Sequence, residues 1–110
     1  MPYLQEQKHF WNVDEQTAKF GRVDTISQTE AEYNRAADEA FETIFSDVRI
    51  DSNSTILEIG CGVGRLLSRL LSRTNPGNVI GIDISDSMIQ YARDALGARD
   101  NLKLGEQTCL

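Results

Sequence analysis

Two carboxylates and three glycines are spaced along this chain in a pattern typical of nucleoside binding. Glu58 stands near the end of an apolar segment, and Gly60, Gly62 and Gly64 follow it at alternate positions. Asp83 ends a second apolar segment roughly 20 residues later, the spacing at which doubly wound folds place a carboxylate on ribose hydroxyls. Glycines let a backbone turn sharply and approach a ligand that a Cβ would push away. The pattern therefore predicts a loop that holds a nucleoside-like ligand.

The residues around the glycines narrow the kind of ligand. The dinucleotide pattern requires glycine at its sixth position, where this chain has Arg65, and no Gly-Lys-Ser or Gly-Lys-Thr sequence of a phosphate-binding loop is present. The carboxylate of Glu58 would repel a pyrophosphate but attract a cation. We therefore expect a positively charged nucleoside, although a nicotinamide-dependent oxidoreductase stays open as an alternative.

The elements that position these residues follow from hydrophobic periodicity and turn signals. Short apolar segments predict strands, and stripes at three- and four-residue steps predict helices. Ser85 is a candidate N-cap, and Gly97 is a fitting helix stop. The predicted order is strand 55–59, helix 64–72, strand 79–83, helix 86–96 and strand 102–104. Right-handed crossovers make such a βαβαβ unit parallel, so the fold class is α/β, a partial doubly wound Rossmann-like parallel sheet.

The region before the first strand predicts an N-terminal helical extension. Ser27 and Glu30 have the spacing of a capping box, which predicts a helix from there to about residue 47. Its expected apolar stripe consists of Tyr33, Ala37, Ala40, Phe41, Ile44 and Val48, and its acidic residues are expected on a solvated face. We divide the chain into this extension, residues 1–50, and a ligand-binding unit, residues 51–110.

Composition excludes several classes of protein. The 110 residues carry 17 acids against 11 bases, a net charge of −6, which disfavours a nucleic-acid surface because phosphates require a basic footprint. No apolar run approaches the length of a membrane span, and the N-terminus lacks the apolar core of a secretory signal. Cys61 and Cys109 have no metal or pairing spacing. A cytoplasmic protein with no metal site is the expectation.

Two motifs carry a resemblance to a known family, Glu58-x-Gly60-x-Gly62-x-Gly64 and Gly81-Ile82-Asp83-Ile84-Ser85-x-x-Met88-Ile89-x-x-Ala92. Together they resemble the class I S-adenosylmethionine-dependent methyltransferases, over roughly residues 52 to 108. The resemblance implies that S-adenosylmethionine is the cofactor. It also implies methyl transfer to an acceptor, expected to be a small molecule, that the sequence does not identify.

The same resemblance implies a role for each matching residue. The glycine loop, with Cys61 inside it, would cradle the methionine part of the cofactor, and Glu58 would support the loop and face the methionine amine. Asp83 would hold the ribose, whereas Ile84 and Met88 would pack near the adenine. Glu106 matches a third, weaker motif, so a contact with adenine and a plain strand end stay equally open.

Other interpretations of single residues also stay open. Asp83 could be an acid favoured by a helix N-terminus. Cys61 could be a nucleophile beside a helix N-terminus, although a small residue in a crowded loop is the preferred interpretation. The segment His9-Phe10-Trp11 could belong to a substrate lid or to a hydrophobic patch that packs the N-terminus onto the domain. No catalytic residue is named.

The family fold has a sheet of about seven strands in the order 3-2-1-4-5-7-6, of which this sequence supplies about three. We therefore expect the cofactor-binding half of a longer methyltransferase domain, with the first strand left as an open apolar edge. A missing C-terminal half or a partner chain would complete the sheet. A non-enzymatic module that pairs with a partner through this open edge is the alternative from another class.

Overall fold

The computed structural model describes Asn12 and residues 29–106. Within them, a three-stranded parallel sheet has the order β1-β2-β3. The strands are β1 (Thr55–Ile59), β2 (Asn78–Asp83) and β3 (Leu102–Glu106), and the helices are α1 (Glu30–Phe45), α2 (Arg65–Arg73) and α3 (Asp86–Leu96). The fold is the predicted α/β, Rossmann-like βαβαβ unit, and each boundary of β1 and α3 is the predicted one.

The start of α1 differs from the sequence prediction. The N-cap is Thr29, whose Oγ1 accepts a hydrogen bond from the Glu32 backbone N–H at 3.1 Å. Ser27 was the expected cap, and it lies outside the described residues. The prediction was wrong because the same capping-box spacing recurs two residues later, where Glu32 stands third after Thr29.

The buried stripe of α1 is also narrower than expected. Tyr33, Ala37 and Phe41 are buried as predicted, but Ile44 and Val48 are 51% and 52% exposed. Phe45 continues the four-residue step instead and packs against the core. Ile44 lies at the edge of this stripe, three residues after Phe41 and beside Phe45, and Val48 lies beyond the helix end at Phe45.

One acid on α1 is not simply solvated, contrary to the prediction. Asp38 Oδ1 accepts a hydrogen bond from Arg69 Nε at 3.1 Å and one from Arg73 at 2.7 Å. The hydrogen bond from Arg69 is the largest cause of a pKa for Asp38 below its usual value. These contacts tie α1 to α2 across their polar flanks.

The core lies between the three helices and one face of the sheet. Its buried cluster consists of Phe41, Cys61, Leu67, Leu70, Leu71, Val79, Ile89, Ala92 and Leu96. On this face, Gly81 of β2 allows α2 to approach closely, because a Cβ there would lie 2.7 Å from Leu67 Cδ1. Helix α2 is thereby held close above the carboxyl end of the sheet.

The opposite face of the sheet is apolar and uncovered by the described residues. Leu57 and Ile59 are 56% and 63% exposed, and the strand register places Ile80 and Ile82 beside them. Among residues 29–106, β1 pairs with β2 alone, so its outer edge is open as the sequence predicted. The helices in the described part of the chain are all too short or too polar to span a bilayer.

Candidate cofactor site

The glycine loop crosses the carboxyl edge of the sheet, where β1 ends and α2 begins. The backbone N–H groups of Gly60 and Cys61 both donate to the carbonyl oxygen of Ile82, at 2.8 and 3.0 Å. The Gly64 N–H donates back to the Cys61 carbonyl at 3.1 Å. These bonds hold the loop against the end of β2, next to Asp83.

The glycines of the loop are conformationally necessary. Gly60, Gly62 and Gly64 have φ values of 76°, 58° and 85°, which side chains with a Cβ rarely adopt. Gly64 also packs tightly, since an added Cβ would lie 3.1 Å from Leu96 Cδ1. Gly60 differs, because no atom lies within 4 Å of an added Cβ. The loop is therefore tight on its protein side and open at Gly60.

Asp83 braces the loop and the start of α3 at the same time. Its Oδ2 accepts a hydrogen bond from the Gly62 N–H at 2.9 Å, and its Oδ1 accepts one from the Ser85 N–H at 2.9 Å. Bracing was expected from Glu58 instead. A carboxylate has about four acceptor positions, so Asp83 keeps capacity for ribose hydroxyls while it holds two backbone groups.

Glu58 has an unusual environment for a carboxyl group. It lies on the helix-covered face of the sheet, paired with Gly81 in the strand register. Its Oε1 is buried and has no hydrogen-bond partner among the described residues. Burial raises the pKa of this carboxyl to about 7, with a further contribution from the Asp83 charge, while Arg65 acts in the opposite direction. A buried oxygen without a partner is costly, and a cationic group placed beside it would remove that cost.

Cys61 does not have the environment of a nucleophile. Its side chain is 6% exposed, and burial raises the pKa of the thiol to about 12, helped by the charges of Asp83 and Glu58. The thiolate is the reactive form, so burial and the raised pKa both disfavour reaction of this thiol at neutral pH. A Cβ on Gly81 would lie 3.1 Å from its Sγ, in agreement with a small residue in a crowded loop.

The remaining predicted residues lie around the same edge of the sheet. Ile84 is half-buried. Met88 lies in the first turn of α3, where it is 1% exposed. Glu106 ends β3 directly beside Asp83 in the register, and its Oε1 lies 3.7 Å from Arg93 Nη1. Contacts of these three residues with an adenine stay predictions.

Sequence reasoning missed Asn12. Its Oδ1 accepts hydrogen bonds from Ser85 Oγ at 2.6 Å and from the Ser87 N–H at 3.2 Å. These partners stand 73 and 75 positions away, so no local pattern reveals the contact. The rest of the first 28 residues, including His9-Phe10-Trp11, lies outside the described part of the chain. In residues 29–106 and Asn12, no group of three or more His, Cys, Asp or Glu side chains is arranged to hold a metal ion.

Comparison with known proteins gives a consistent result. A family model described as a methyltransferase domain matches residues 50–105, about half of the chain. A malonyl-[acyl-carrier protein] O-methyltransferase of Acetivibrio thermocellus is 38% identical over 64 residues, 56% of this chain and 23% of that protein. A tRNA (guanine-N(7)-)-methyltransferase of Clostridium botulinum is 40% identical over 42 residues, 38% of this chain and 19% of that protein.

The fold has solved relatives as well. The magnesium protoporphyrin IX methyltransferase of Synechocystis PCC 6803, whose crystal structure contains S-adenosylhomocysteine, superposes with a TM-score of 0.61 at 18% identity. The match covers 96% of this chain and 51% of that enzyme. The matched part of the chain therefore covers about half the length of this enzyme and about a fifth of each of the two relatives matched by sequence.

Proposed function

Because the chain belongs to the class I S-adenosylmethionine-dependent methyltransferase family, we propose that residues 51–106 bind S-adenosylmethionine at the glycine loop for methyl transfer. The observation that carries the proposal is the buried Oε1 of Glu58, which has no hydrogen-bond partner among the described residues, two positions before Gly60, where an added Cβ would meet no atom within 4 Å. A cationic amine there would satisfy a carboxyl oxygen that the described residues leave without a partner.

The proposed roles of the other residues follow from their geometry. The loop from Gly60 to Gly64 would receive the methionine part, because its turn is fixed by the bonds to Ile82 and its surface is open at Gly60. Asp83 would accept the ribose hydroxyls with its remaining acceptor capacity. Ile84 after the end of β2, Met88 in the first turn of α3 and Glu106 at the end of β3 would border the adenine.

The sulfonium of the cofactor supplies an electrophilic methyl group, and the protein supplies position and a partly dry environment. Glu58 would hold the amine end and Asp83 the ribose end, which fixes the cofactor at two points along its length. Two fixed points restrict the direction in which the methyl group faces an acceptor. We assign no general base for the acceptor among the described residues.

A small molecule is the acceptor that we propose. The net charge of −6 opposes close approach of a polyanion such as RNA, although the Clostridium relative carries a tRNA name. We also propose that further polypeptide, of the same protein or a partner, covers the exposed face formed by Leu57 and Ile59, since so much exposed apolar surface at a sheet edge favours association.

Isothermal titration calorimetry with S-adenosylhomocysteine tests the cofactor proposal, with NAD as the comparison ligand. We expect micromolar binding of S-adenosylhomocysteine and none of NAD. Glu58→Gln should weaken binding about tenfold, the value of a lost charge-assisted hydrogen bond. Glu39→Gln on the exposed side of α1 is the matched control and should bind normally. Equal affinity of wild type and Glu58→Gln would contradict the assignment of Glu58.

A further inference from the structure

A continuous chain of hydrogen bonds runs from Asn12 to the glycine loop. Ser85 Oγ donates to Asn12 Oδ1 at 2.6 Å, and the Ser85 N–H donates to Asp83 Oδ1 at 2.9 Å. The other oxygen of Asp83 accepts the Gly62 N–H at 2.9 Å. Three bonds of ordinary length therefore connect a residue near the N-terminus to the loop that faces the proposed cofactor.

Ser85 is well suited to transmit the position of Asn12. It is 0% exposed, and its Oγ also accepts the Met88 N–H at 3.2 Å as the N-cap of α3. A hydroxyl has a single proton to donate, and the bond to Asn12 directs that proton away from the helix. The lone pairs of Ser85 Oγ are then oriented toward the Met88 N–H.

Asn12 also caps the helix from another part of the chain. Its Oδ1 accepts the Ser87 N–H at 3.2 Å and lies 3.3 Å from Ser87 Oγ, which in turn lies 3.1 Å from Ser85 Oγ. The Ser87 N–H is one of the first N–H groups of α3, which have no partner inside the helix. Asn12 thereby fixes the backbone turn that presents the Ser85 N–H to Asp83.

We propose that Asn12 is a positioning residue for the cofactor site, acting through Ser85 on the carboxylate of Asp83 and the glycine loop. The proposal rests on the proposed function, since it assigns a residue to the same site. Asn12 need not touch the cofactor. Its side-chain oxygen holds the turn from residue 83 to residue 87, and this turn sets the direction of the Asp83 carboxylate.

The binding test uses the full chain and calorimetry with S-adenosylhomocysteine. Asn12→Leu keeps the shape and removes the acceptor, so affinity should fall about fivefold, as for one lost hydrogen bond. Asn12→Asp keeps an acceptor oxygen and should stay within about twofold of wild type. Asn53→Leu, on an exposed turn before β1, is the matched control and should bind normally.

A double-mutant cycle tests the route through Asp83. If Asn12 acts through this carboxylate, Asn12→Leu should cost less affinity when Asp83→Asn is already present. The same substitution combined with Glu58→Gln should cost its full fivefold. Equal losses in both backgrounds would overturn the proposal. It would also be overturned if the wild type binds S-adenosylhomocysteine and Asn12→Leu binds it with the same affinity.

Amide hydrogen exchange by NMR tests the connection without any ligand. Asn12→Leu should accelerate exchange at the N–H groups of Ser87 and Gly62. Asn12→Asp should leave both exchange rates as they are in the wild type. Faster exchange at Ser87 with an unchanged rate at Gly62 would show a local cap alone and would overturn the proposal. This readout decides the connection even if wild type fails to bind S-adenosylhomocysteine, which would refute the proposed function separately.

Discussion

Glu58→Gln should stabilise the protein at alkaline pH while it weakens cofactor binding. In the folded chain, burial raises the pKa of Glu58 from 4.5 to about 7. Between these pH values the folded state keeps a proton that the unfolded chain has lost. The contribution of Glu58 to the free energy of unfolding of the wild type is therefore highest below pH 4.5, and it falls as the pH rises through 7. Glutamine is neutral throughout and escapes this loss.

The magnitude follows from the gap between the two pKa values. A gap of about 2.5 pH units corresponds to about 3 kcal/mol. Since Glu58 is partly open to solvent, we expect about 1–2 kcal/mol after screening. The free energy of unfolding of Glu58→Gln, relative to wild type, should therefore rise by that amount between pH 4.5 and pH 8.

Urea denaturation followed by circular dichroism at pH 4.5, 6 and 8 measures this difference. Glu39→Gln, on the exposed side of α1, should show no such trend. Calorimetry on the same samples should show weaker binding of S-adenosylhomocysteine by Glu58→Gln at pH 8, and weaker binding by wild type below pH 7. A stability difference that stays constant with pH would refute the reasoning about the buried carboxyl.

Three further changes test packing, capping and thiol burial. Gly81→Ala should lower the free energy of unfolding, measured by urea denaturation, by about 1–3 kcal/mol. The reason is that the new Cβ would lie 2.7 Å from Leu67 Cδ1. In Gly105→Ala the nearest atom to the new Cβ is 3.9 Å away, so this control should lower the free energy of unfolding clearly less. Thr29→Ala should cost about 1 kcal/mol and Thr29→Ser little, and an equal loss for both would contradict the cap. With the other cysteine replaced by serine, Cys61 should react with a thiol reagent only after unfolding, and rapid reaction of the native protein at pH 7 would contradict its burial.

The local signals of the sequence were sufficient for most of the fold. The boundaries of β1 and α3 are as predicted, because an apolar run with flanking turn residues and a Ser85 cap followed by a Gly97 stop act within a few positions. The start of α1 was misplaced because two capping-box spacings overlap, at Ser27 and at Thr29. The capping-box spacing by itself does not rank them, since Ser27 with Glu30 and Thr29 with Glu32 fit it equally well.

The site divides in a similar way. The sequence placed Glu58, the glycines and Asp83 at one edge of the sheet, because parallel strands bring their carboxyl ends together. It did not determine which carboxylate braces the loop. That role belongs to Asp83, whose strand lies in the middle of the described sheet and whose oxygens reach both Gly62 and Ser85.

What the sequence determined by itself was the set of elements, their order and the family to which the chain belongs, because periodicity, caps and glycine spacing act over short distances. What only the tertiary structure decided was the environment of each side chain. The burial of Glu58, the burial of Cys61 and the bonds of Asn12 to Ser85 and Ser87 arise from residues brought together across up to 75 positions of sequence. Pairing over such a separation follows from the packing of whole elements, and no local pattern encodes it.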